Sequence, residues 1–262
     1  MQINKNWVRK TIEKYPIFRY FLSWSDGLNI ELQEEHEKDE RNYFLGASPL
    51  TKEILQPDGN WTPFFGENER QANEGVFESM SCTIFSFLNI LEALENRQFG
   101  EIRNFSDRYT SKMSGVTRNG NSMDNVINSA RKLHGLLEQL DWPNDIDNIT
   151  WYEFFKTIPV SLQEKAKHFL DTYEINYERL PDSRLTTIRE ALKFSPVYCA
   201  GYAWYPSNGM YYSYGNPNHA FVIQRIDGNN LIAKDSYEPF DKKLASNYRI
   251  YYPKIIILKK KI

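Results

Sequence analysis

The strongest apolar pattern in the chain follows Met80. Across residues 82–94, Ile84, Phe85, Phe87, Leu88, Leu91 and Leu94 occupy most of a helical circumference. A helix with so wide an apolar surface is buried on several sides, and Ser79 or Ser81 can cap its start. A second helix is predicted over residues 122–133, where Met123, Val126, Ile127, Ala130 and Leu133 form one stripe and Gly135 supplies a terminator. Weaker helical periodicity covers 151–156, 161–171 and 186–194. Downstream the pattern becomes that of strands. Residues 196–202 form a short apolar run, 205–210 read as a turn, and 248–258 read as a last strand rich in Tyr and Ile. Residues 220–226 and 231–234 flank Asp227-Gly228-Asn229-Asn230, which predicts a hairpin. Helices first and strands later predict an α+β protein with two unlike lobes, a mainly helical one over about 75–175 and an antiparallel β lobe over about 176–262.

A chain of 262 residues suits one large domain or two small lobes around a shared cleft. Its 34 acidic and 32 basic residues nearly cancel, which argues against nucleic acid or an anionic membrane as partner. No apolar run reaches the length of a membrane span, and the first ten residues lack the apolar core of a signal peptide. Two cysteines, Cys82 and Cys199, cannot build a disulfide framework. With no Cys-x-x-Cys and no closely spaced His pair, neither a metal nor a cofactor is expected. Residues 1–40 stand apart as an N-terminal extension. Its acidic run, 31–40, reads as a solvated helix face or an arm, and His36 within it as solvated. The aromatic group Tyr202, Trp204, Tyr205, Tyr211, Tyr212 and Tyr214 is expected to cover a hairpin through cross-strand pairs, in preference to binding sugars or bases.

The chemistry centres on Cys82. At a helix N-terminus, unpaired N–H groups and a partial positive charge stabilise a thiolate, the nucleophilic form of the side chain. The alternative is an inert core cysteine. His219 begins a predicted strand, and the hairpin folds Asp235 back to within two or three residues of it. A carboxylate there can accept the ring N–H, fix the tautomer and leave the other ring nitrogen for a thiol.

These residues resemble those of the papain-like (C1-type) cysteine peptidases, particularly compact, disulfide-poor bacterial and phage members, over residues 40–262. Cys82 and His219 are 137 positions apart, within the roughly 130–150 of that family, and the 16 positions from His219 to Asp235 also fit. Lys234-Asp-Ser-Tyr237 looks like the family's Asn-Ser-Trp segment, and Pro196-Val197 like its strand entry. Asp58-Gly-Asn-Trp61 with Gln71 resembles the approach to the oxyanion glutamine, and Gly120-Asn121-Ser122 the wall where substrate backbone docks. The resemblance implies a two-lobe fold with the active-site cleft between the lobes. It implies a Cys82–His219–Asp235 triad, Gln71 in the oxyanion hole, and a peptide or protein substrate lined by Gly120, Asn121, Asn218 and Tyr237. A pro-segment over residues 1–40 is one expectation, a packing arm the other.

Some positions depart from the family pattern. Thr83 replaces the Trp that follows the nucleophile, and Asp235 replaces the orienting Asn. Tyr237 stands where an aromatic shields the histidine. Gln71 lies 11 positions before Cys82, so the loop at 72–80 must bulge. Glu74 offers a competing alignment but would repel an oxyanion. Three other readings stay open: a catalytically weak or inactive papain-like binding module, a thiol acyltransferase, and a hydrolase of peptidoglycan peptides. The expected setting is cytoplasmic or associated with a phage or its lysate, and the expected state is a monomer.

Overall fold

The computed structural model describes residues 27–37, 43–50, 52–73 and 76–261. The described residues open with helix α1 (Ile30–Glu37), followed by a small hairpin, β1 (Ala72–Asn73) and β2 (Phe77–Glu78). Then come α2 (Cys82–Phe99), α3 (Asp107–Met113), α4 (Met123–Asn128), α5 (Trp151–Phe154) and α6 (Val160–Thr172). Strand β3 (Tyr173–Arg179) and helix α7 (Leu185–Ala191) lead into β4 (Val197–Gly201), β5 (Tyr205–Ser207) and β6 (Met210–Tyr212). The chain ends with β7 (His219–Asp227), β8 (Asn230–Lys234), β9 (Asp241–Lys243) and β10 (Tyr251–Lys260). Among the described residues, no helix is long and apolar enough to cross a membrane.

Six strands form one antiparallel sheet in the order β3-β10-β4-β7-β8-β9. Helix α2 lies against β7, β10 and β4 of that sheet and against α3 and α4 on its other side. This explains its all-round apolar surface: every residue from Cys82 to Glu95 is buried. Burying a leucine or phenylalanine side chain contributes roughly 1.5–3 kcal/mol, so α2 is the central member of the core. Gly100 ends it in the left-handed conformation, φ 69°, with its N–H on Asn96 O. Ser81 occupies the N-cap position without capping. Its hydroxyl donates to Ser79 O and accepts from Ser111 Oγ.

The predicted helix over 122–133 changes character midway. It is α-helical to Asn128 and then a π-helical turn from Ser129 to His134. The wider turn breaks the four-residue spacing, and Leu133 rotates out to 59% exposure instead of joining the stripe. The predicted turn at 205–210 is a full hairpin, β5–β6, closed by Asn208 and Gly209 at φ 50° and 73°. Of the extension, α1 is docked. Gln33 is buried and bonds Asp124 Oδ2, and its carbonyl oxygen accepts from Met123 N, while Glu31, Glu34 and Glu35 face outward. His36 is half-buried, with Nδ1 2.7 Å from Ser122 Oγ, and is not a solvated residue. Residues 1–26 and 38–40, and Glu74, lie outside the described residues.

Candidate active site

Three side chains far apart in sequence meet where α2 faces the sheet. Cys82 opens α2, and no side chain caps that first turn. His219 opens β7, and the next residue, Ala220, donates its N–H to Cys82 Sγ at 3.3 Å. The start of one strand thus delivers both an imidazole and a hydrogen-bond donor to the sulfur. The β7–β8 hairpin pairs Val222 with Lys234, so Asp235 returns beside the start of β7. His219 Nε2 and Asp235 Oδ1 are 2.6 Å apart, and Ser236 N also donates to that oxygen at 2.8 Å. With Nε2 held, Nδ1 is the nitrogen left for sulfur chemistry.

The electrostatics follow from this arrangement. Burial alone would push the His219 imidazole down, but Asp235 and then Cys82 outweigh it and hold its pKa well above the ordinary histidine range. Burial pushes the Asp235 carboxyl up, and His219 and then Lys242 outweigh that, holding it below the ordinary range. Cys199, the other cysteine, lies in β4 with its thiol on Phe221 O. Burial pushes its pKa well up, which disfavours its thiolate.

The chain's own residues Gly27–Asn29 cross this site. Leu28 N donates to Asn218 O at 3.3 Å on the sheet side. On the helical side Asn121 N donates to Gly27 O and Asn29 N to Asn121 O, both at 2.9 Å, which makes Leu28 and Asn121 a parallel bridge. The approach is so close that only glycine fits. A methyl group on Gly27 would lie 2.9 Å from Cys82 Sγ and 2.8 Å from the Met80 carbonyl, and one on Gly120 would lie 2.0 Å from Gly27 O.

No protein-family model matches the sequence, and no curated protein matches it. Solved structures do. The Amb a 11 cysteine protease of ragweed pollen, in its proform, aligns over 90% of this chain and 75% of its own, at TM-score 0.57 and 16% identity. Digestive procathepsin L 3 of Tenebrio molitor larval midgut aligns over 91% of this chain and 76% of its own, at 0.54 and 16%. Bromelain from Ananas comosus in complex with the E64 inhibitor aligns over 78% of this chain and 97% of its own, at 0.52 and 16%. The fold is that of the papain-like cysteine proteases.

Within this papain-like fold, Gln71 is buried beside the segment that follows Asp235. Its Oε1 accepts from Ser236 Oγ at 2.6 Å, and its Nε2 lies 2.9 Å from Glu78 Oε1 and 2.7 Å from Tyr237 Oη. Tyr237 Oη in turn donates to Glu78 Oε2 at 2.6 Å. The expected bulge at 72–80 is the β1–β2 hairpin, and it brings Glu78 to this spot. Three aromatic rings surround His219: Tyr237 at 5.5 Å, Trp204 at 5.6 Å and Phe221 at 6.4 Å between centroids. Trp204 belongs to the segment read as hairpin cover, and no spacing in the sequence ties it to the histidine. Lys242 was also missed. It lies between Asp241 and Lys243, which face outward, and a charged triplet reads as solvated.

Proposed function

We propose that the chain is a cysteine peptidase with Cys82 as nucleophile, His219 as its acid–base partner and Asp235 as the orienting carboxylate. The observation behind this reading is the His219 ring, fixed by Asp235 through Nε2 and electrostatically coupled to a cysteine at a helix N-terminus. The Cys82 thiolate attacks a peptide carbonyl carbon, and the oxygen takes the negative charge. The N-terminus of α2 and Gln71 stabilise that oxyanion. His219 gives its proton to the leaving amine, which leaves a thioester on Cys82. The imidazole then takes a proton from water as it attacks the thioester, and the acid product and thiolate are released. Gly120, Asn121, Asn218 and Tyr237 line the substrate. The test is hydrolysis of an unfolded protein by the wild type and by Cys82→Ala, with epoxysuccinyl labelling mapped to peptides. Equal turnover in the mutant, or labelling of Cys199 in place of Cys82, would refute the assignment.

The N-terminal extension is read as an inhibitory pro-segment. Gly27–Asn29 already holds the backbone groups of Asn121 and Asn218 that a substrate would use, and α1 anchors it through Gln33. The two proforms also cover more of this chain than bromelain with E64 does, 90% and 91% against 78%. The intact chain is then a latent form, and shortening of its mass during activation is the expected accompaniment.

A further inference from the structure

An acidic orienting group poses an electrostatic problem. A thiolate, an imidazolium and a carboxylate buried together carry one net negative charge, whereas a neutral amide in the third place would leave none. Isolated charge in the interior is costly and shifts the pKa of its neighbours. Lys242 lies where it can solve this. Its side chain is 2% exposed, and Nζ is 2.7 Å from Asp235 Oδ2, the oxygen opposite the one that holds His219. Nζ also donates to Tyr237 O at 2.7 Å and Pro239 O at 2.6 Å. The rings of Trp204 and Tyr211 lie 5.2 and 5.7 Å from it. An ammonium ion-paired with a carboxylate oxygen, bonded to two backbone carbonyls and flanked by two aromatic rings is a built site for a buried cation. Alternation along β9 turns Lys242 inward, and its pairing with Ala233 of β8 sets it behind Asp235.

We infer that Lys242 is a positioning residue that balances the charge of Asp235, so that His219 and Cys82 ionise as they would beside an uncharged orienting group. The inference rests on the function proposed above, because it concerns the same pair. The titratable groups around the ring are Cys82 from α2, Asp235 after β8, Lys242 from β9, and the phenols of Tyr237, Tyr211 and Tyr248. Burial raises the pKa of Tyr211 and Tyr248, which keeps both neutral over the working range. Lys242 stands on the histidine's side of the pair, so its charge lowers the proton affinity of His219 more than that of Cys82. Removing it raises both, the imidazole the more.

The experiment is a pH titration of the His219 ring by nitrogen NMR in the histidine-labelled full chain, read in wild type, Lys242→Met, Asp235→Asn and the double variant. In Lys242→Met the His219 midpoint should rise by a shift on the order of tenfold in proton affinity, and Asp235→Asn on top should return it towards wild type. If Lys242→Met fails to fold, the comparison of Asp235→Asn with the double variant replaces it. In the single variant the unopposed ammonium depresses the midpoint, and the second substitution restores it. A midpoint that stays put in these comparisons overturns the inference, since a purely structural lysine would change stability and not the titration. Peptide hydrolysis is assayed separately. Titration shifts without hydrolysis in any variant, also after the N-terminal segment has been removed, would sink the peptidase reading and leave the role of Lys242 intact.

Discussion

Gly27 stands directly on Cys82, so close that a single added methyl group would lie 2.9 Å from the sulfur. Its φ of +115° disfavours any other residue as well. Gly27→Ala should therefore push the segment off the site. The expected outcome is a rise of roughly tenfold in peptide hydrolysis by the intact chain, taken from initial rates before the mass shortens, on the order of the strain such a residue introduces. An unchanged initial rate would mean that the segment does not block the site.

Cys82→Ala should fold with the wild-type circular dichroism spectrum and lose hydrolysis by about three orders of magnitude or more, as expected when a nucleophile is removed. Cys199→Ala should keep its activity. The pair of variants separates the thiol at the helix terminus from the one packed in β4.

Gln71→Ala tests the oxyanion site. A lost donor there should lower kcat by about a hundredfold or more, with KM little changed. Because Glu78 and Tyr237 both hold the Gln71 amide, Glu78→Gln should raise kcat if that carboxylate competes with the oxyanion. An unaltered kcat in Gln71→Ala would place the second oxyanion donor elsewhere.

Stability should fall as pH rises from 5 to 8. Burial, the largest cause, raises the carboxyls of Glu92, Asp107 and Glu69, with Glu69 adding repulsion to the first two; burial likewise pushes Glu95 up from an ordinary 4.5 to about 7, against the pull of Arg103. Folded, these groups bind more protons than they do unfolded, so their contribution is fully present below the unfolded values and is lost as pH rises through the folded ones. His219, whose pKa is also raised, acts in the same direction, while His134, pushed down mainly by burial, opposes it. A tenfold difference in proton affinity between the folded and unfolded chain is worth about 1.4 kcal/mol. Urea midpoints across this range should show the decline, and Glu95→Gln should flatten its part below pH 7. A midpoint that rises with pH would contradict the assignment.

The site was legible in the sequence where chemistry and local pattern coincide. Cys82 combines an apolar helix with a reactive residue at its start, and the Asp227-Gly228 turn fixes the fold-back that brings Asp235 to His219. The α+β order was equally visible in the switch of period after residue 195. What escaped depends on tertiary context. β3 follows α6 without a break, and its alternation of Tyr173, Ile175 and Tyr177 with polar residues is short and charge-rich. The π turn after α4 depends on packing that no single-residue preference encodes. Lys242 is buried only because the loop at 235–240 wraps its head group in carbonyls. Gly27 matters for what it touches 55 positions later.

The hold of Gly27–Asn29 on the site includes three backbone hydrogen bonds, each worth about 1 kcal/mol net, with the docking of α1 behind them. As a separate peptide such a segment would bind weakly. Attached to the domain whose site it crosses, it acts at an effective concentration on the order of millimolar, and weak contacts then suffice to hold it there. Severing the chain between α1 and Tyr43 would leave the same peptide unaltered but competing at its bulk concentration, so the proposed inhibition would be lifted by dilution, without a cut in the segment that crosses the site.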